Sequence, residues 1–200
     1  MSRPRQSDRF SAVVGGAYGH YFRRLVHVVF LSLFPWISFH WGGAIASFFG
    51  VSWAVCLLLV FGVFVIFELL RIRFKWVAYG QRQHERAHIC SMSWAIFAVV
   101  AVLLLAPKAY AYAIMLTCAW VDPLMGEMRL YRQRPSLVVL SGCALALGIW
   151  LGALAFFSMP IGLAFVCAPV MVLAEWPSLF WIDDNALMML VPLIVLQCIL

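Results

Sequence analysis

Apolar residues in this chain gather into long runs that short polar stretches interrupt. The runs cover residues 25–41, 44–67, 91–106, 109–121, 137–157, 160–174 and 186–200. A bilayer-crossing helix needs about 20 predominantly apolar residues. The runs at 44–67 and 137–157 meet that length unaided. The others must borrow flanking residues, tilt, or lie half-buried in a bundle. The pattern predicts an all-α, polytopic transmembrane helix bundle of about seven spans (roughly six to eight). Gly42-Gly43, Pro107-Lys108 and Met159-Pro160 predict tight turns between successive spans. Pro35, Pro160 and Pro169 lie in or beside apolar runs, where neighbouring helices can satisfy the backbone groups that a kink releases.

Composition narrows the choice of solvent. Apolar residues make up 66% of the chain and charged residues 11%, against about 25% charged in a soluble domain. So few charges would not cover a water-facing surface, so lipid is the expected surroundings. No long hydrophilic stretch suggests a separate soluble domain. We expect a cytoplasmic N-terminal segment over 1–22 and a single integral membrane domain over 23–200. The net charge is +6, but no basic run is interleaved with aromatics, which argues against nucleic-acid binding. Residues 1–22 lack a signal-peptide pattern, so the first apolar run is expected to stay as a span. The six cysteines are scattered without a C-x-x-C pair and read as packing residues. Gly142, Ala144, Ala146 and Gly148 permit close helix packing, within one chain or between chains of a homo-oligomer.

Charge placement gives the topology. Arg3, Arg5, Arg9, Arg23 and Arg24 precede the first run; Arg71, Arg73, Lys75, Arg82 and Arg86 follow the second; Arg129, Arg132 and Arg134 follow the fourth. Only Lys108, of fourteen Lys and Arg residues, lies on the other set of connections. The positive-inside rule makes the basic side cytoplasmic, in a bacterial inner membrane by expectation. The acids follow: Asp8, Glu68, Glu85, Asp122, Glu127, Glu175, Asp183 and Asp184 all fall on that side. Nothing in the positive-inside rule requires this. Ionisable groups at a membrane edge are expensive and suggest function. Their convergence predicts a site for a charged substrate and a hard cation, against the plainer reading of loop solvation with a few ion pairs.

Four constellations carry that reading. Arg23-Arg24-Leu25-Val26-His27 puts Arg23 and His27 four apart, and Arg24 and His27 three apart, on a helix. Arginine offers a rigid fork of donors that suits phosphate. Glu68 and Arg71, then Arg82 and Glu85, repeat an i,i+3 spacing that fits either ion pairs or a substrate role. His84 and His88 are four apart but lack H-E-x-x-H order and a third ligand. Asp122 closes an apolar run and is followed by Pro123 and Gly126, which predicts a carboxylate at a helix end beside a flexible turn, suited to Mg²⁺. Glu175, Asp183, Asp184 and Asn185 precede the last run; helix capping accounts for one acid, not for all of them.

In this order the motifs R-[RK]-x-x-H, E/D-x-x-R, R-x-x-E, W-x-D-[PT] and E…D-D-N make the chain resemble the polyprenol kinase family: dolichol kinase, phytol and farnesol kinases, and the CTP-dependent diacylglycerol kinase. The resemblance runs from about Arg23 to Pro192. No single motif is specific; five in order on one bilayer side are more so. The resemblance implies a membrane lipid alcohol kinase that takes CTP as co-substrate with Mg²⁺ or another divalent cation. It implies catalytic roles for Asp183, Asp184, Glu175 and His27. It implies nucleotide contacts from Arg24, Arg71, Arg82, Glu85 and Asn185, and metal ligation by Asp122, Asp184 and Glu68; the placement of charge alone adds Arg129 as a further holder of phosphate oxygens. The chain departs from the family in three places. Gly126-Glu127-Met128-Arg129 and Arg134-Pro135-Ser136-Leu137 stand where G-R-x-x-G and K-S-x-x-G are usual, and Met189 stands where a proline usually follows D-D-N. These departures fall in the nucleotide-binding half.

Phosphoryl transfer is mostly positioning and charge neutralisation, which fits such a set of arginines and carboxylates. No G-x-x-x-x-G-K-[ST] is present, so a P-loop is excluded. Two other classes remain: a cytidylyl- or head-group transferase with the same carboxylates, and a small transporter or non-catalytic homologue. A transporter would carry its polar groups at mid-bilayer, whereas these sit at one face.

Overall fold

The computed structural model describes residues 13–176, 179 and 182–199, with the backbone alone at His84. Arg3, Arg5, Asp8 and Arg9 of the expected N-terminal segment, and Leu200 of the last apolar run, lie outside the described residues, as does the His84 side chain. The described chain is all-α. Seven helices follow one another: α1 (Gly16–Phe48), α2 (Trp53–Phe74), α3 (Ser91–Leu105), α4 (Lys108–Leu130), α5 (Pro135–Phe156), α6 (Ile161–Glu175) and α7 (Asp184–Ile199). A short 3₁₀ turn, Gln83–Ala87, interrupts the α2–α3 connection. By length and composition α1, α2 and α5 can cross a membrane, while α3, α6 and α7 are apolar but shorter.

Helix α4 is the hub. It packs on α5 and α1, and less extensively on α7, α6 and α3. Ala111, Ala113, Ile114, Met115, Cys118 and Ala119 are fully buried there. Small side chains let neighbouring backbones approach, which is how helices associate where lipid removes the hydrophobic drive. Trp150 of α5, Cys167 and Met171 of α6, and Met188 and Met189 of α7 complete the core. All six cysteines are free thiols.

Two predicted boundaries are corrected. The turn expected at Gly42-Gly43 is helix, because α1 runs on to Phe48. A mid-helix glycine costs about 0.5–1 kcal/mol, less than the several kcal/mol of an unsatisfied backbone group in hydrocarbon. Gly42 instead receives the Trp53 ring, where a Cβ would lie 2.7 Å from the indole. Trp53 Nε1 donates to Ser38 Oγ at 2.7 Å. The chain reverses at Gly50, with φ of 67°, and Ser52 Oγ caps α2 by accepting from the Val55 amide. The second correction concerns Asp122, which lies inside α4 rather than at its end. Pro123 removes one amide donor, and α4 continues through Gly126 to Leu130. Pro35 and Pro169 also lie inside helices, whereas Pro107 and Pro160 precede α4 and α6 as turn residues.

Candidate active site at the charged end of the bundle

The start of α1 meets the second half of α4. Arg24 Nη1 donates to Asp122 Oδ2 at 2.6 Å, and its Nε lies 3.8 Å from Glu127 Oε1. The guanidinium lies against Gly126, where any Cβ would collide with it. One turn on, His27 Nε2 donates to the Cys118 carbonyl at 3.2 Å and lies 3.7 Å from Asp122 Oδ2. A carbonyl only accepts, so this bond places a proton on Nε2. Arg23, one residue around the helix, lines the same cavity as Arg24 but takes other partners. It donates to Ser91 Oγ at 2.8 Å and lies 3.6 Å from Glu85 Oε1.

Three carboxylates converge beside Arg24. Asp122 comes from α4, Glu175 is the last residue of α6, and Asp184 is the first of α7. One oxygen from each lies within 4.8 Å of the others. Asp122 and Glu175 are almost wholly buried. Arg129 forms an ion pair with Glu175 Oε1. Glu175 Oε2 is buried without a hydrogen-bond partner. Clustered carboxylates removed from water are unstable unless neutralised. Arg24 and Arg129 each pair with one of the three, Asp122 and Glu175 respectively. The orphaned oxygen and the all-oxygen donor set fit a small hard cation such as Mg²⁺.

The Asp183-Asp184-Asn185 run divides its labour. Asp183 Oδ1 accepts from the Asn185 amide at 3.1 Å and from Asn185 Nδ2 at 2.8 Å, capping α7. Asp183 Oδ2 accepts from Ser91 Oγ. Asp183 therefore fastens α7 to α3, and Asp184 faces the carboxylate cluster. Asn185 is buried, and its Oδ1 takes a weak bond from the Cys118 thiol.

Glu68 and Arg71 form a separate arrangement. Arg71 Nε and Nη2 donate to the two Glu68 oxygens at 2.7 and 2.9 Å. Its remaining N–H groups donate to the carbonyls of Trp76, Glu85 and His88. All five donors are used, leaving none for a phosphate. Glu68 also accepts from the Cys90 amide at 2.7 Å. Burial pushes the Cys90 thiol above its usual range. The expected metal role of Glu68 and nucleotide role of Arg71 are thus replaced by a knot that shapes the α2–α3 connection. Glu85 Oε2 accepts from the Arg82 amide at 3.4 Å, and the Glu85 amide donates to the Arg82 carbonyl, closing the 3₁₀ turn. Glu85 is buried toward Ser91, whereas Arg82 is exposed and reaches the rim of the site.

A cavity of about 530 Å³ joins these parts. Its charged end carries Arg23, Arg24, Arg82, Arg129, Asp122 and Asp184. Its other end is apolar, walled by Phe30, Leu31, Phe64 and Ile96. Of the predicted site residues, Arg24, His27, Arg82, Asp122, Arg129, Asp184 and Asn185 line this cavity, and Glu175 joins them through the carboxylate cluster. Sequence reasoning left out His20, Ser91 and Gly126. His20 stands four residues before Arg24, extending the same stripe, and lies 2.6 Å from Glu127 Oε1. Gly126 stands four after Asp122, a helical spacing hidden by the expectation of a turn. Ser91 carries no such signal. The chain matches no protein-family model, no curated protein and no solved structure.

Proposed function

We propose that this protein is a membrane-embedded, divalent-cation-dependent lipid alcohol kinase, with CTP as the expected phosphate donor. The observation that carries the proposal is the two-ended cavity, with arginines and clustered carboxylates at one end and apolar side chains at the other. Such a shape suits an amphipathic substrate whose hydroxyl meets a polyphosphate. Asp122, Glu175 and Asp184 would hold the cation, which when bound neutralises phosphate charge and orients the phosphates. Arg23 and Arg82 at the rim suit the triphosphate oxygens, while Arg24 and Arg129 steady the carboxylates. His27 lines the cavity between its charged and apolar parts, and its protonated Nε2 leaves Nδ1 as an acceptor. The alcohol oxygen bonds to the terminal phosphorus. The bond to the bridging oxygen breaks, the nucleoside diphosphate leaves with that electron pair, and the hydroxyl proton passes to His27.

The membrane placement and a cytoplasmic site belong to the same proposal, supported by three long apolar helices and by charges at one end of the bundle. The test is phosphate transfer by purified protein in detergent with Mg²⁺. CTP and ATP are each offered with isoprenoid alcohols and with diacylglycerol, and products are read by mass. A lipid monophosphate that falls about 10²–10³-fold in Asp122→Asn and Glu175→Gln is the expected result. No product with any pair, from protein shown to be folded, overturns the kinase reading and favours a head-group transferase or a non-catalytic homologue.

A further inference from the structure

The apolar end of the cavity is short. Along α1 it runs from His27 to Leu31, which is about 6 Å at 1.5 Å per residue. The hydrocarbon core of a bilayer is about 30 Å thick. A tail much longer than this must therefore leave the cavity sideways.

A second space lies next to it. A cleft of about 370 Å³ between α2 and α3 is lined by Phe61, Val65, Leu69, Ile72, Trp94 and Phe97. Its one carboxylate, Glu68, is already bonded to Arg71 and Cys90, so the cleft offers no free charge. Phe64 lines both spaces and is the one α2 side chain, among the described residues, that lines the charged cavity. On α3 the two spaces use different residues: Met92, Ala95 and Ile96 face the cavity, while Ser93, Trp94 and Phe97 face the cleft.

We propose that the hydrocarbon tail of a single-chain alcohol passes from the cavity into the α2–α3 cleft across Phe64, whose ring sets the tail length accepted. The proposal rests on the lipid-alcohol reading and adds the tail's path and the residue that selects its length. The ring stands as a partition: a short tail ends against it, and a longer tail must turn it aside. Removing the ring joins two apolar spaces without touching a charged residue of the site. Enlarging it closes the passage.

The test separates this path from the phosphotransfer chemistry. Geraniol, farnesol and geranylgeraniol, each with a photoreactive diazirine at the tail end, are bound to the purified full chain in detergent. Labelled residues are located by peptide mass spectrometry, which requires no turnover. The short probe should mark Phe30, Leu31 or Ile96, and the long probe Trp94, Phe97 or Ile72. Phe64→Trp should confine every probe to the cavity, and Phe64→Ala should send farnesol into the cleft. In turnover assays Phe64→Ala should raise the preference for geranylgeraniol over geraniol about tenfold in kcat/KM. Phe64→Leu serves if the alanine variant does not fold. Labelling of Leu25, Val29 and Leu33 on the outer face of α1, unchanged across the variants, would overturn the path. Cleft labelling without turnover would uphold the path while the kinase reading fails. Turnover with a length preference unmoved by any Phe64 variant would overturn the gate and leave the kinase standing.

Discussion

Arg71 shows how one buried side chain can organise a connection. Its guanidinium joins Glu68 to three loop carbonyls. Arg71→Ala leaves the Glu68 carboxylate buried without its partner, which should destabilise the protein by about 3–5 kcal/mol, read as a lower unfolding temperature in detergent. Glu68→Gln with Arg71→Met should cost less, because neither variant residue is a buried charge. Gly126→Ala should behave in the opposite way. Alanine favours a helix over glycine by about 1 kcal/mol, but its Cβ occupies the space of the Arg24 guanidinium. Folding should be retained while turnover falls about 10²-fold, the scale set by an ångström of misplacement. At this scale the sequence was partly legible. The i,i+3 spacing of Glu68 and Arg71 marked a pair, but its destination depended on backbone carbonyls at 76, 85 and 88, which have no side-chain signature. Asp122 was legible because an acid beside an apolar run is costly anywhere.

Among the described helices, seven apolar runs anticipated seven, and errors clustered where glycine or proline reads as the end of a run. In water these residues end helices; in lipid the need to keep backbone groups paired lets helices run through them. Thus Gly42 became a seat for an aromatic ring and Pro123 an interior residue. Gly42→Leu should separate α1 from α2 by displacing the Trp53 indole from Ser38. The expected result is a lower unfolding temperature and a shift in Trp fluorescence. The carboxylate cluster needs three elements at once: the middle of α4, the end of α6 and the start of α7. Each acid was visible in sequence, but which of Asp183 and Asp184 faces the cluster follows from the α7 cap and from Ser91.

For the molecule as a whole, antiparallel helices bring alternate connections to one end, so the one-sided charge pattern becomes one site. In a cysteine-free background, Arg86→Cys should react with a membrane-impermeant thiol reagent only from the cytoplasmic side, and Lys108→Cys only from the other. The reverse result would invert the topology. One further consequence follows from helix length. At 15 residues each, α3 and α6 rise only about 22 Å, against a hydrocarbon thickness near 30 Å. Phe97 of α3 and Phe165 and Leu173 of α6 are exposed, so this shortfall meets the surrounding lipid. Hydrophobic mismatch of this sign draws the two leaflets together around the short side of the bundle. The bilayer would then dip beside the charged end of α6, letting water and a soluble nucleotide come down to a site that the hydrocarbon would otherwise cover. Reconstitution into lipids of decreasing acyl length should raise both thermal stability and turnover until the bilayer matches the short helices.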